Sequence, residues 1–128
     1  MKTKAIATPD APKAIGPYSQ AVQAGDYLFV SGQIPLDPAT GMIVEGGIEE
    51  QAHRVFKNLA AILDEAGLDF SAVVKSTVLL ADIDDFAKVN EIYASYINAD
   101  PLPARAAFQV AKLPKNALLE IELIAYNG

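Results

Sequence analysis

Residues 103–126 read PARAAFQVAKLPKNALLEIELIAY, and this stretch predicts two strands of one sheet. Each half alternates between two rows of side chains, because successive residues of a strand point to opposite faces. In the first half, Phe108 belongs to an apolar row and Arg105 stands in the other row. In the second half, Leu119 begins an apolar row, and Glu120 begins a row that mixes acidic and apolar residues.

If both apolar rows face the core, Arg105 and Glu120 lie together on the second face of the sheet. That face is too apolar for a fully solvated surface and too charged for a core. We therefore expect it to be a subunit interface that contains a site.

Length and composition indicate an ordinary globular protein, with one domain over residues 1–128. The chain is 52% hydrophobic and 20% charged, and it lacks cysteine, which excludes disulfides, thiolate nucleophiles and thiolate metal sites. Its net charge is −6 with only 10 lysines and arginines, so we expect no nucleic-acid partner. No segment reads as a signal peptide or a membrane span, and we expect a cytoplasmic protein without membrane contact.

The patterns along the chain predict an α+β fold with two helices on one face of a mixed sheet. Gly25-Asp26 reads as a hairpin turn. On the strand at 73–81, Val74 is expected to share a face with Val78 and Leu80. His53 falls outside the apolar stripe of the first helix. The predicted elements are strands at 2–6, 21–24, 27–31 and 73–81, helices at 48–66 and about 84–98, and the two C-terminal strands.

The second face of the predicted sheet carries Phe29, Leu118, Ile124 and Tyr126, a patch too large to leave exposed. A cyclic homo-oligomer that buries this face is the simplest solution. On the second helix, Asn90 lies within the apolar stripe, where an amide needs hydrogen-bond partners. We expect a nearby backbone group to supply them.

Few residues are available for chemistry, because the chain has no cysteine and a single histidine. This excludes the usual pairs of nucleophile and base. A guanidinium on a partly buried face suits bidentate binding of a carboxylate, which would be the role of Arg105. A carboxylate beside it, such as Glu120, could orient water or carry a proton. An ion pair of Arg105 with a glutamate, without any ligand, explains the same pattern equally well.

Several motifs together resemble the RidA/YjgF (Rid) family, over nearly the whole chain and at compatible spacing. They are Ile15-Gly16-Pro17-Tyr18-Ser19-Gln20-Ala21, Val30-Ser31-Gly32-Gln33-Ile34, Phe56-Lys57-Asn58-Leu59, residues 73–80, Asp85-Phe86 with Asn90 and Tyr93, Pro103-Ala104-Arg105, Leu113-Pro114-Lys115 and Glu120-Ile121-Glu122.

The resemblance implies a bacillus-type chorismate-mutase-like α+β fold and a homotrimer with a barrel-like sheet core and sites at subunit interfaces. It implies hydrolysis of 2-iminopropanoate or 2-iminobutanoate to the 2-oxo acid and ammonia, with no metal or organic cofactor. Arg105 would clamp the substrate carboxylate, and Glu120 would position the attacking water and shuttle protons. The other implied substrate-binding residues are Tyr18, Ser31, Gly32, Asn90 and Ala107.

Ala107 departs from the family pattern, because many relatives carry a cysteine at this position. If the position acts through its backbone, as the resemblance suggests, hydrolysis survives the change. Two other functions remain open at this point. One is a trimer that binds a small carboxylate without turnover, or in a regulatory role. The other is a ribonuclease or translation inhibitor, which the acidic charge and the lack of a histidine pair disfavour.

Overall fold

The computed structural model describes residues 2–128, which form one sheet with two α-helices and three short 3-10 turns. The elements are β1 (Thr3–Ile6), β2 (Ala21–Ala24), β3 (Tyr27–Gln33), α1 (Ile48–Glu65), β4 (Val73–Leu80), α2 (Phe86–Tyr96), β5 (Ala104–Gln109) and β6 (Leu119–Tyr126), with 3-10 turns at Phe70–Ala72, Ile83–Asp85 and Pro114–Asn116.

The sheet has the strand order β1-β2-β3-β6-β4-β5. Every neighbouring pair is antiparallel except β4 and β5, which run parallel. A parallel pair requires a crossover, and the segment that contains α2 supplies it. The connection leaves β5, the strand of Arg105, at one edge of the sheet.

Both helices pack on one face of the sheet, and the predicted α+β architecture is confirmed. Helix α1 begins after Gly47, whose backbone N–H donates to the side chain of Glu50 at 2.8 Å. It buries its predicted apolar stripe against the sheet, except for Ala66, which follows the helix as its C-cap and is only partly buried. The buried members of the stripe are Ala52, Val55, Phe56, Leu59, Ile62 and Leu63. From β3 and β6, the alternate residues that begin with Leu28 and Leu119 fill the other side of this core.

Among residues 2–128 no helix packs on the second face of the sheet, which is rich in aromatic side chains. Tyr27, Phe29, Phe108 and Tyr126 are each between 45% and 48% exposed on it. Tyr27 and Tyr126 pack against each other with ring centroids 5.2 Å apart. This patch is the feature that an oligomer interface would bury.

Some details of the predicted elements are wrong, among them the end of β3, which runs to Gln33 rather than residue 31. Val74 is exposed rather than buried, because β4 has a bulge there that lets Val73 take the core position. The second helix is shorter than 84–98, because Asp82 accepts a hydrogen bond from the backbone of Asp84 and caps a 3-10 turn ahead of α2. Within residues 2–128, no helix is both long and apolar enough to cross a membrane.

Candidate active site

A β-bulge in β3 shapes the surroundings of Glu120. Val30 pairs with Leu123 and Gln33 pairs with Ile121, so two residues of β3 stand opposite one residue of β6. The two residues are Ser31 and Gly32. A bulge of this kind redirects side chains locally and interrupts the regular ladder. The bulge explains how adjacent residues of one strand both come to line a cleft beside Glu120.

Gly32 lies directly beneath the carboxylate of Glu120. A Cβ atom added to Gly32 would overlap Oε2 of Glu120 and come within 2.9 Å of its Cδ. Only glycine therefore allows this carboxylate to approach the backbone of the bulge. The close approach gives a physical reason for glycine at this position of the strand.

Tyr18 and Ser31 line the same cleft, which has a volume of about 640 Å³. The Oγ of Ser31 donates to the backbone oxygen of Ser19 at 2.6 Å, and its N–H donates to the backbone oxygen of Gln20 at 2.9 Å. These bonds tie the loop that carries Tyr18 to β3. The Tyr18 side chain itself is half exposed at the mouth of the cleft.

Burial raises the pKa of the Glu120 carboxyl above its ordinary value, and the nearby carboxylate of Glu122 raises it further. Both effects disfavour the charged form of Glu120. A carboxylate with a raised pKa is a stronger base than an ordinary glutamate, which suits transfer of a proton from water.

Arg105 lies in a second cavity, of about 770 Å³, against α2. Its Nη1 donates to Oδ1 of Asn90 at 2.7 Å. Its Cζ lies 4.8 Å from the ring centroid of Tyr93 and 5.2 Å from that of Phe86. The guanidinium is exposed and has further N–H donors beyond the one given to Asn90.

The prediction that Arg105 and Glu120 share one face of the sheet is wrong within a single chain. Arg105 pairs with Ser76 of β4, which faces the helices, whereas Glu120 pairs with Leu79, which faces the other way. The apolar row of β5 that contains Phe108 points to the second face instead of the core. The chain thus presents two separate half-sites, one around Glu120 and one around Arg105.

Asn90 and Ala107 belong to the Arg105 half-site. The expectation of a backbone partner for Asn90 is wrong, because its side-chain oxygen accepts from Arg105 on an exposed part of α2. Ala107 follows Arg105 on the same face of β5, pairs with Val78, and packs partly buried against the core. His53 is exposed on α1 as expected, with its Nδ1 2.8 Å from the hydroxyl of Tyr96.

Sequence reasoning missed four residues near the half-sites. Phe86 and Tyr93 appeared among the family motifs without a role, although their spacing of seven places both on the face of α2 that meets Arg105. Lys13 and Lys115 line the Glu120 cleft. Lys115 has a φ of 55° in a turn that the proline before it and the asparagine after it indicate, but nothing in the sequence places that turn beside Glu120.

A family model described as Endoribonuclease L-PSP matches residues 8–127. The structure of YyfA from Yersinia pestis, described as a protein of unknown function of the Rid family, superposes with a TM-score of 0.94 at 46% identity, covering 97% of this chain and 98% of that one. The chain belongs to the Rid family. The resemblance in its motifs and its chorismate-mutase-like fold are thereby confirmed.

Curated relatives of this Rid protein include both deaminases named for their substrates and proteins with only a family name. A mouse protein, 56% identical over 125 residues, is a 2-iminobutanoate/2-iminopropanoate deaminase, and the match covers 98% of this chain and 92% of the relative. A protein of Pyrococcus abyssi, 54% identical over 127 residues and covered to 99% on both sides, is named only as a RutC family protein. Membership of a family with imine deaminases is therefore established for the chain.

Proposed function

We propose that this Rid protein hydrolyses 2-imino acids, among them 2-iminopropanoate and 2-iminobutanoate, to 2-oxo acids and ammonia. The observation that carries the proposal is the Glu120 carboxylate, held on Gly32 in a cleft with its pKa raised. The names of the mammalian relatives support the same reaction.

The proposed reaction adds water across the C=N bond and then breaks the C–N bond. Arg105 binds the carboxylate of the imino acid through paired N–H donors and so fixes the position of C2. Glu120 accepts a proton from water as the oxygen attacks C2, which gives a tetrahedral carbon bearing OH and NH2. The proton taken from water is the one that converts the imine N–H to NH2. Glu120 then transfers the hydroxyl proton to the same nitrogen, the C–N bond breaks, ammonia leaves, and the C–OH becomes the C=O of the 2-oxo acid. An enamine first takes a proton at C3 and becomes the imine.

The proposal requires the Arg105 and Glu120 half-sites to come together, and assembly into a homotrimer would bring them together. Arg105 lies on the edge strand β5, and Glu120 lies on the second face beside an exposed aromatic patch. A cyclic trimer that buries this patch can place β5 of one subunit against the Glu120 cleft of its neighbour. Each complete site then takes Arg105 from one chain and Glu120 from the next.

Mixing two inactive variants tests this arrangement. Arg105→Ala and Glu120→Ala chains, unfolded together in equal amounts and refolded, should recover about a quarter of wild-type activity. The reason is that each cyclic trimer containing both chains has one intact interface. Each variant refolded alone is the control. If the mixture stays as inactive as its components, Arg105 and Glu120 do not act together across an interface.

The reaction itself is tested with freshly generated 2-iminopropanoate. The wild-type protein should remove the imine well above the spontaneous rate and release pyruvate and ammonia in equal amounts. The variants above serve as folded controls for the same preparation. Imine loss at the spontaneous rate with wild-type protein would contradict the proposed activity.

Gly32→Ala should lower kcat/KM by about one to two orders of magnitude, because the added methyl group displaces the Glu120 carboxylate by about 1 Å. Gly47→Ala is the matched control, since its added Cβ meets no atom closer than 4.0 Å and its φ is −100°. The steady-state rates of both variants, with their melting temperatures, make the comparison. Full activity in Gly32→Ala would show that the approach to Glu120 is not needed.

A second candidate function is binding of a small carboxylate without turnover. The Arg105 half-site supports it, because Asn90 and two aromatic rings arrange the guanidinium without any contribution from Glu120. Pyruvate binding by a wild-type protein that leaves imine loss unchanged would favour this function.

The name of the family model raises RNA cleavage as well, and the net charge of −6 and an exposed lone histidine argue against it. RNA cleavage that disappears on mutation of Glu120 would reverse that conclusion.

A further inference from the structure

Helix α2 presents three residues to Arg105 at positions i, i+4 and i+7: Phe86, Asn90 and Tyr93. Residues with this spacing lie on one face of a helix. Seven residues span about 10.5 Å along the axis at 1.5 Å per residue. The guanidinium carbon lies 5.2 Å from one ring centroid and 4.8 Å from the other, so both rings are within cation–π distance of Arg105, and Asn90 stands between them along the helix.

Phe86, Asn90 and Tyr93 form a slot for the Arg105 side chain. Core residues hold Tyr93 in place. The hydroxyl of Tyr93 lies 2.7 Å from Oγ of Ser76, and both residues are buried. The Tyr93 ring also meets Phe56 edge to face at 5.9 Å between centroids. Ser76 is in turn the strand partner of Arg105 in the β4–β5 ladder. Ser76 therefore fixes two positions: that of Arg105 along the sheet, through the strand pairing, and that of the Tyr93 ring, through the hydrogen bond.

We propose that Phe86 and Tyr93 are positioning residues that hold the Arg105 guanidinium between their rings and leave its edge as the surface that receives a substrate carboxylate. The assignment of the substrate rests on the function proposed above, whereas the slot itself rests on the geometry. Aromatic rings attract a guanidinium over its flat side. A carboxylate binds it in the plane, through parallel N–H donors. The rings therefore cover the flat sides of the guanidinium, and its N–H edge stays open to a carboxylate.

Phe86→Leu tests the slot, because it keeps an apolar side chain and removes a ring. The KM for 2-iminopropanoate should rise about threefold to thirtyfold, the range of a cation–π contact, while kcat changes by less than about twofold. Phe70→Leu is the matched control: Phe70 is also partly buried on the core, and the rings it meets are those of Phe56 and Tyr96. Phe86→Tyr, which keeps a ring, should restore the wild-type KM. An unchanged KM in Phe86→Leu would overturn the proposal.

Two further readouts separate the slot from the proposed reaction. Pyruvate carries the same carboxylate, so its affinity by calorimetry should fall in Phe86→Leu by the same factor as the KM rises, even if wild-type protein hydrolyses no imine. The ring currents of Phe86 and Tyr93 should shift the Nε–H resonance of Arg105 upfield, and Phe86→Leu should reverse part of that shift, since Tyr93 remains. The chain holds only two arginines, so Arg54→Lys assigns the two resonances. A resonance that does not move in Phe86→Leu contradicts the slot, whatever the protein catalyses.

Discussion

Arg105→Ala should lower kcat/KM for 2-iminopropanoate by about two to four orders of magnitude while the protein stays folded. The guanidinium is exposed in a single chain and has N–H donors beyond the one that Asn90 accepts. Two charge-assisted hydrogen bonds to a carboxylate contribute about 1.5–3 kcal/mol each, and each 1.36 kcal/mol changes the rate tenfold. Imine loss followed against the spontaneous rate measures the effect.

The fold should tolerate this change, because Arg105 lies on an edge strand and substitutions at exposed positions seldom alter stability by much. Arg54→Ala is the matched control. Arg54 is the other arginine, and its Nε donates to Asn58 within α1 at 3.0 Å. It should keep full activity with a similar or larger loss of melting temperature. Arg105→Lys keeps the charge and loses the planar pair of donors, so most of the defect should remain. Wild-type activity in Arg105→Ala would rule out the proposed binding of the substrate carboxylate by Arg105.

Glu120→Gln should lower kcat by about two to four orders of magnitude, the usual contribution of a general base. Glutamine fills the same space on Gly32 and still accepts a hydrogen bond, but it cannot take a proton from water. Pyruvate affinity should be nearly unchanged, because Arg105 supplies the carboxylate contact. A loss of pyruvate affinity with kcat intact would mean that Glu120 binds the ligand and does not act on water.

The pH dependence separates Glu120 from its neighbour Glu122. The ionised form of Glu120 is the active base, so kcat/KM should fall as the pH drops through its raised pKa. Glu122→Gln removes a negative charge that disfavours ionisation of Glu120, which lowers the pKa of Glu120. The acid limb of the profile should therefore move to lower pH, with activity at neutral pH retained. A limb that moves up, or does not move, contradicts this electrostatic coupling.

Local patterns in the sequence predicted the elements that a single chain determines by itself. The alternation of β6 was correct residue by residue and the stripe of α1 was correct up to Leu63, because each has one strongly apolar side that must face the core. The hairpin at Gly25-Asp26 was correct for a similar reason: Gly25 takes a positive φ of 59° that glycine tolerates best.

Strand β5 shows where local patterns fail. Alternation divides it into two rows, but both rows hold small or apolar residues, so neither is clearly the core row. The parallel register with β4 decides the matter by placing Arg105 beside Ser76, and register between distant segments is absent from a strand's own sequence. For the same reason the sequence could not show that the half-sites are separate in one chain.

Asn90 shows a partial success. Its place in the apolar stripe of α2 was recognised as needing an explanation, and the partner turned out to be Arg105, fifteen residues further along the chain. A guanidinium between two rings looks like an ordinary apolar stripe in sequence, because the rings are spaced as core residues are. Only the tertiary contact shows that the stripe accommodates a cation.

The slot on α2 also determines when the entropy of Arg105 is lost. A free arginine side chain carries about 2 kcal/mol of rotamer entropy, and a flexible one would give this up each time a ligand bound. In this chain the rings and Asn90 restrict the side chain as the protein folds, before any ligand arrives. The loss of rotamer entropy therefore lowers the free energy of unfolding and does not recur on binding, because the N–H donors are already ordered when a carboxylate binds.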